Sequence, residues 1–456
     1  MAICTTASAS QLRSSFIRLD AEFFRPEYVE VARRLNAIPG IVRLGRIADR
    51  ITQGSNPRFV TEGLPCVNGK NVYFGTMLSG DPNYVSVDEF ERLSGYALRR
   101  NDLVITLKHA TKVGRVWIVE DDEPRIFARN IGLIRLRGDS PIRRSVLLLY
   151  LWTKAGQLLI DRCATGGTTG QITLPMSELR RLPIPPIADT EQDLIEGLFL
   201  QSRKAAADAV SQYESACQIL DTELGLSKLT FGKPMGYAAA FSDLETARRA
   251  DAQHYQPRFR QLIDYILSLP SDRIRNLRVY NRRGFQPVYF KGGTVDVVNS
   301  QHLGVKHIDY AGLEKTSSKA FAAASEAHIR QNDLLIYTTG AYIGRTNVFL
   351  SNTPAMASNH VNILRLRAGI DAAYMALVFQ STVGQFQTQM HARGSAQAEL
   401  YPSDIDRFVV PLLTDDKQEA IGNLVRSSLA NQQESNRLIA MAKARVEQLI
   451  EEAVRV

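Results

Sequence analysis

Two sets of polar side chains in this 456-residue chain have types and spacings that could do chemistry. The first is Lys108, His109, Thr111, Lys112 and Arg115, crowded between the apolar runs LVITL and VGRVWIV. The second is Tyr337, Thr338, Thr339, Tyr342 and Arg345, which occupies the same place in a later stretch. Arg and Lys can pair with guanine O6 and N7, and Asn and Gln with adenine, so the chemistry offered is base readout. Lys70 and Asn71 in VNGKN, and Asn299 and Gln301 in VNSQH, add donors of the same kind. The glycine loop ATGGTTGQ supplies Thr168, Thr169 and Gln171, and ARGSAQ supplies Arg393, Ser395 and Gln397. Such loops bring backbone amides and small hydroxyls close to phosphates. Each of these residues reads equally well as a polar turn.

Reactive constellations are harder to find. Gly63 to Lys70 resembles a phosphate loop, but Asn71 stands where a magnesium-binding Ser or Thr is required. Gly166, Gly167 and Gly170 lack the G-x-G-x-x-G order of a dinucleotide site. No P-D dipeptide begins a nuclease carboxylate motif, and no N-P-P-aromatic stretch is present to hold a flipped base. His302 and His307 have no accompanying Cys or His pair, which argues for loop residues and against zinc. The expectation is a chain without a catalytic site or a bound metal.

The net charge of +8 favours a polyanionic partner, because Lys and Arg gain affinity by releasing counterions from phosphates. Cys4, Cys66, Cys163 and Cys217 are too scattered for a disulfide framework and fit a reducing compartment. The N-terminus shows no basic leader with an apolar run, and SVLLLYLW is too short to cross a bilayer. A cytoplasmic protein that does not enter membranes is expected.

The elements that must position these loops occur twice. The stretch RLDAEFFRPEYVEVARRLNAI, with Phe24, Tyr28, Val31 and Leu35 on one face, predicts a helix from Arg18. A strand-like IVRLGRIADRI, the loop TQGSNPRF, a hairpin over residues 99–119, the strand NIGLIRLR and an apolar helix from about Ile142 to Cys163 follow. The stretch LRRLPIPPI then leads into a long helix, its prolines forcing an extended entry. From Arg249 the order starts again. RADAQHYQPRF answers RLDAEFFRPEY, VVNSQHL answers CVNGKNV, and RQNDLLIYTTGAYIGRTNVF answers RRNDLVITLKHATKVGRVWI. ASNHVNILRLR answers ARNIGLIRLR, and the last matching block again precedes a long helix. The offset between copies drifts only from about 231 to about 226 residues, which marks an internal repeat and two homologous domains.

The long helices carry narrow stripes of spacing three and four. Ile195, Leu198, Ser202, Ala206, Ala209, Tyr213, Ala216 and Leu220 form one, and Ile421, Leu424, Ser428, Leu438, Ala442 and Leu449 the other. Stripes rich in Ala and Ser suit two helices packed closely on each other. Two separate amphipathic helices, each packed on its own domain, are the alternative.

Two repeats, each ending in a Gly-Ser/Thr loop, an l-x-x-l-x-i-P-l-P-P stretch, an E-Q and a long helix, resemble the specificity (S) subunit of type I restriction-modification systems. The first copy reads TGGTTGQITLPMSELRRLPIPPIADTEQDLI; the second, ARGSAQAELYPSDIDRFVVPLLTDDKQEAI, keeps Pro411 but replaces the next proline by Leu412 and Glu191 by Lys417. The resemblance spans nearly the whole chain. It implies an α+β fold: tandem duplicated α/β target-recognition domains, separated by two long antiparallel coiled-coil-like helices with pseudo-twofold symmetry. The first recognition domain would cover residues 1–186 and the first spacer helix 187–230; the second domain would cover 231–412 and the second helix 413–456. Each domain would read one half of a split double-stranded DNA target. Two modification (methyltransferase) subunits would dock on the helices, at Glu191, Gln192, Ile195, Gln418 and Ile421, and restriction (motor-nuclease) subunits would join them. AdoMet would belong to the modification subunit, ATP and Mg to the restriction subunit, and no cofactor to this chain. A helix of about 40 residues is roughly 60 Å long, enough to hold two readers over separate stretches of a duplex whose turns repeat about every 34 Å. The competing reading is a duplicated scaffold that binds protein partners instead of DNA.

Overall fold

The computed structural model describes residues 20–73, 76–77, 82–166, 170–232, 234–394 and 397–455. It divides into two compact units, Met1–Lys204 with Glu434–Val456, and Ala205–Gln433. Each long helix is therefore shared between the units.

In the first unit the helix expected from Arg18 begins at Pro26 and runs to Ala37, after a short 3-10 turn over Ala21–Phe24. Pro26 sets the boundary: it holds Arg25 extended, and its missing N–H costs nothing at the first helical position. The central sheet is antiparallel, with strands Ala48–Gln53, Ile131–Leu136, Leu103–Thr106 and Val116–Ile118 in that spatial order. Against it packs Arg144–Trp152, whose Ser145 to Trp152 are all buried, and the Trp152 indole N–H donates to the Val116 carbonyl at 2.9 Å. The apolar run read as one helix is two. Thr153 breaks it, its Oγ1 donating to the Tyr150 carbonyl at 2.6 Å and accepting from the Gly156 N–H at 3.0 Å, and Lys154–Cys163 starts anew. A second, smaller sheet pairs Leu64–Val67 with Ile126–Phe127 in parallel and with Asn83–Val85 antiparallel. Val42–Arg43 pairs with Pro183–Ile184, so the start of the unit is tied to the entry of the first long helix.

The second unit repeats the central sheet and its main pairings, while its smaller sheet has four strands. Its central sheet orders Arg278–Arg283, Val361–Leu366, Leu334–Tyr337 and Thr346–Val348; Val295–Val298 runs parallel to Ala355–Ala357; Ser271–Arg273 pairs with Val409–Pro411. Ser381 separates Ala372–Gln380 from Thr382–His391 as Thr153 separates the corresponding helices. Polar links recur at matching places. Tyr150 donates to the Pro183 carbonyl and Tyr374 to that of Pro411; Gln157 reaches the Gly114 and Leu151 carbonyls, and Gln385 those of Gly344 and Phe379. A buried polar group must be satisfied wherever the backbone goes, so a duplicated backbone keeps its partners.

The long helices span Asp189–Leu224 and Asp415–Arg455. The first stops before residue 230, where Gly225 takes the left-handed conformation at φ 60°. Within the first unit the helices run antiparallel: Glu191 receives both Nε and Nη2 of Arg445 at 2.8 and 2.6 Å, and Ser202 donates to the Ser435 carbonyl at 2.9 Å. Within the second unit, Ser428 donates to the Ala209 carbonyl at 2.7 Å, Asn431 to Gln212 at 3.0 Å, and Lys417 pairs with Glu223. Small residues on the stripes let the backbones come this close.

Gln192, Ile195, Gln418 and Ile421 are buried in their own units. Gln192 accepts from the Arg143 N–H and donates to the Pro141 and Ile187 carbonyls, at 2.8, 2.9 and 2.9 Å. Gln418 likewise accepts from the Asp371 N–H at 3.2 Å and donates to the Leu413 carbonyl at 2.8 Å. These glutamines tie the start of each long helix to the start of the central apolar helix, while Leu194 and Leu200 on the first long helix are exposed. Gln192→Ala should destabilise the first unit by about 1–3 kcal/mol, the cost of leaving buried backbone groups unpaired, read as a lowered denaturation midpoint.

Candidate nucleic-acid interface

The hairpin does not simply turn back on itself. After Thr106 the chain leaves the central sheet, and Lys108–His109 pairs with Ile172–Thr173 beyond the glycine loop, Lys108 facing Thr173 and His109 facing Ile172. The Leu107 and Lys108 N–H groups both donate to the Asn130 carbonyl, at 2.8 and 3.3 Å. Three loops separated in sequence thus meet. Lys70, Lys108 and Gln171 line one groove of about 810 Å³, together with Phe59, Asn68 and Asn83, and with Arg129 and Asn130 from the turn between strands. Among its described lining residues are three cations and no carboxylate, so the groove carries a positive potential suited to phosphate.

The remaining residues of the first loop divide by role. His109 Nδ1 accepts from the Thr111 and Lys112 N–H groups at 3.1 and 3.4 Å and so shapes the loop. Burial, helped by the Arg115 charge, pushes the imidazole pKa down and keeps that nitrogen free to accept. The Arg115 guanidinium donates to the Gly69 carbonyl at 3.0 Å and lies 4.9 Å over the Tyr73 ring. It positions the segment 68–73. Thr111 and Lys112 are exposed, whereas Asn71 is fully buried and its Oδ1 accepts from the Asn68 N–H at 3.1 Å, closing the turn. Gln171 is exposed, and Thr168 and Thr169 lie outside the described residues.

The second unit joins its loops in the same way: the Gly340 N–H donates to the Ala398 carbonyl and the Leu400 N–H to that of Thr338, each at 2.9 Å. Tyr342 is 56% exposed, with the Arg345 guanidinium 3.8 Å over its ring. Tyr337 is half-buried, while Gln301 and Gln397 are exposed. Arg393 is held by Asp404 at 2.7 Å. Thr338 is buried and donates to the His360 carbonyl at 3.0 Å; Thr339 is also buried. Asn299 is engaged, donating to Glu314 and accepting from the Tyr289 hydroxyl at 3.1 Å. Ser395 lies outside the described residues. Asn71, Thr338 and Thr339, expected to touch DNA, are instead enclosed and shape the loops that carry their exposed neighbours.

Residue types alone do not point to Phe59, Asn68, Arg129 and Asn130. A signal for the first exists in the repeat: GSNPRF and GFQPVY align. Gly54 and Gly284 donate to the Ile131 and Val361 carbonyls at 3.0 and 2.8 Å. A Cβ there would stand 2.4 Å from the Ala128 oxygen or 2.2 Å from that of Ala357, so only glycine lets the loop lie on its turn. Each loop leaves an aromatic side chain about half exposed, Phe59 at 51% and Tyr289 at 48%.

No described helix is long and apolar enough to cross a membrane, and among the described residues no three His, Cys, Asp or Glu side chains gather as metal ligands would. No protein-family model matches the chain, and no curated protein matches its sequence. Solved structures similar to it over more than nine-tenths of its length include two S subunits and a chain from a type I restriction-modification system. The S subunit of the type I system from M. genitalium aligns with a TM-score of 0.49 and 12% identity over 92% of this chain and 96% of that one. The HsdS subunit from Thermoanaerobacter tengcongensis aligns with a TM-score of 0.27 and 15% identity, over 91% and 97%. A chain from a structure describing complex assembly and conformational transition of the type I R-M system gives 0.29 and 14%, over 92% and 97%.

Proposed function

We propose that the chain is the non-catalytic DNA-specificity subunit of a type I restriction-modification complex, each unit reading one half of a bipartite double-stranded target. The observation that carries this reading is one backbone frame built twice with different side chains at the same loop positions. Where the first unit has Lys70, Lys108, Arg129 and Asn130, the second has Gln301, Thr339, Asn359 and His360. A frame kept constant while its tips change is what reading two unlike half-sites demands, and the cationic groove supplies the sequence-independent attraction to phosphates. The motif carried by Pro183 to Gln192 supports the same family.

The exposed faces of the long helices, with apolar Leu194, Leu200, Val210 and Met441, are the docking surface for two methyltransferase subunits, joined by restriction subunits in the cytoplasm. AdoMet resides on the methyltransferase, and ATP with Mg²⁺ on the restriction subunit. Co-expression with a type I modification methyltransferase from the same genome, followed by methylation mapping of genomic DNA, tests the assignment. The expected result is a methylated motif of two specific parts with a fixed unspecified gap. A pure complex that modifies no such motif would overturn it.

A further inference from the structure

The groove of the first unit holds polar atoms that the protein itself leaves unfilled. Asn68 is 8% exposed. Its Oδ1 accepts from the Lys70 N–H at 3.0 Å, which fixes the orientation of the amide, and its buried Nδ2 has no partner in the protein. On the same groove Asn130 Oδ1 and Ser55 Oγ are also buried and unpartnered. A buried polar group without a hydrogen bond is costly, so three of them on residues that line one groove point to a ligand that supplies the missing bonds. The lining offers a donor at Asn68 and an acceptor at Asn130, and it includes the cations Lys70, Lys108 and Arg129.

In the major groove adenine presents an acceptor, N7, beside a donor, the N6 amino group; guanine presents two acceptors and would leave Asn130 Oδ1 unfilled. The second unit lacks this arrangement, because Asn299, the counterpart of Asn68, spends its amide on Glu314 and on the Tyr289 hydroxyl. Its counterpart of Asn130 is His360.

Resting on the DNA-specificity reading above, we propose that Asn68 and Asn130 together read one adenine in the half-site of the first unit. Asn68 Nδ2 donates to N7, Asn130 Oδ1 accepts from N6, and the three cations hold the neighbouring phosphates. The substitution Asn68→Asp keeps the oxygen that Lys70 needs and turns the donor into an acceptor. In the complex with the methyltransferase, methylation mapping should show the preference for adenine at one position of one half-site falling tenfold or more, with the other half-site and the gap unchanged. Asn130→Ala should relax the same position. An unchanged motif with both variants would overturn the inference and leave the specificity function standing. So would loss of all modification by both variants together with a clearly lowered melting temperature, since that assigns the pair a structural role. Relaxation at a position that is not adenine would overturn the base assignment. If the unaltered complex modifies no bipartite motif, the specificity function falls and this inference falls with it.

Discussion

Asp102→Ala should lower the stability of the first unit by about 3–5 kcal/mol, the cost of stranding the partner of a buried ion pair. Asp102 is 1% exposed and meets Arg135 through both oxygens, at 2.7 and 2.6 Å, while one oxygen also accepts from the Arg99 N–H at 2.8 Å. Removing the carboxylate leaves the largely buried Arg135 guanidinium without its bidentate partner and a backbone N–H without an acceptor. Tryptophan fluorescence reads the effect directly: the chain has two tryptophans, Trp117 and Trp152, stacked 5.6 Å apart in the first unit. Replacing both partners, Asp102→Leu with Arg135→Met, should cost far less, because no charge is then left unpaired. A double variant as unstable as Asp102→Ala would show that the pair contributes through more than its own charges. The second unit carries the same device, Asp333 with Arg365 at 2.7 Å through both oxygens and the Arg330 N–H at 2.7 Å. Asn101 and Asn332, each preceding its Asp, share the left-handed conformation at φ 70° and 67°.

That correspondence explains how much of the molecule was legible in its residues. The N-D-L pattern, the R-L-R strands and the long helices repeat because buried pairs and sheet registers tolerate little change, so duplication survives in sequence. The helix break at Thr153 was not legible, since apolar residues continue on both sides and only a hydroxyl turned back onto the Tyr150 carbonyl marks it. The E-Q in the first turn of the long helix looks like a surface motif, yet Gln192 is enclosed because the helix start packs over Pro141 and Arg143, far away in sequence. Lys70, Lys108 and Gln171 could be named as candidates from charge and loop position, but their convergence depends on the pairing of Lys108–His109 with Ile172–Thr173. Asn68 was invisible for a sharper reason. What distinguishes it from Asn299 is an unfilled amide nitrogen, and whether an amide is filled is decided by neighbours such as Glu314 and not by its own residue type.

Acidification should destabilise the second unit by about 3 kcal/mol between pH 6.5 and pH 4, through His391. The ring is 6% exposed, stacks on Phe408 at 5.7 Å between centroids, and its Nδ1 has no hydrogen-bond partner. Burial, aided by His254, Arg407 and Arg249, pulls its pKa down to about 4 against the opposing carboxylate of Asp404. The Arg249 charge is fixed beside it, donating to the His391 carbonyl at 2.9 Å and to that of Ala392 at 2.9 Å. The unfolded chain takes up the proton near pH 6.5 and the folded chain only near pH 4, so stability is complete above pH 6.5 and is lost as pH falls through that window. Burial shifts His254 in the same direction and adds to the loss. Hydrogen exchange over residues 382–391 and 405–410 should therefore accelerate between pH 7 and pH 4.5 once the intrinsic pH dependence of exchange is removed. His391→Leu should abolish most of that acceleration, because a side chain that cannot bind a proton contributes nothing to the linkage. If the leucine variant loses protection on acidification as steeply as the unaltered protein, the titrating group is not His391, and Asp406, whose carboxylate Arg278 holds below its usual range, becomes responsible.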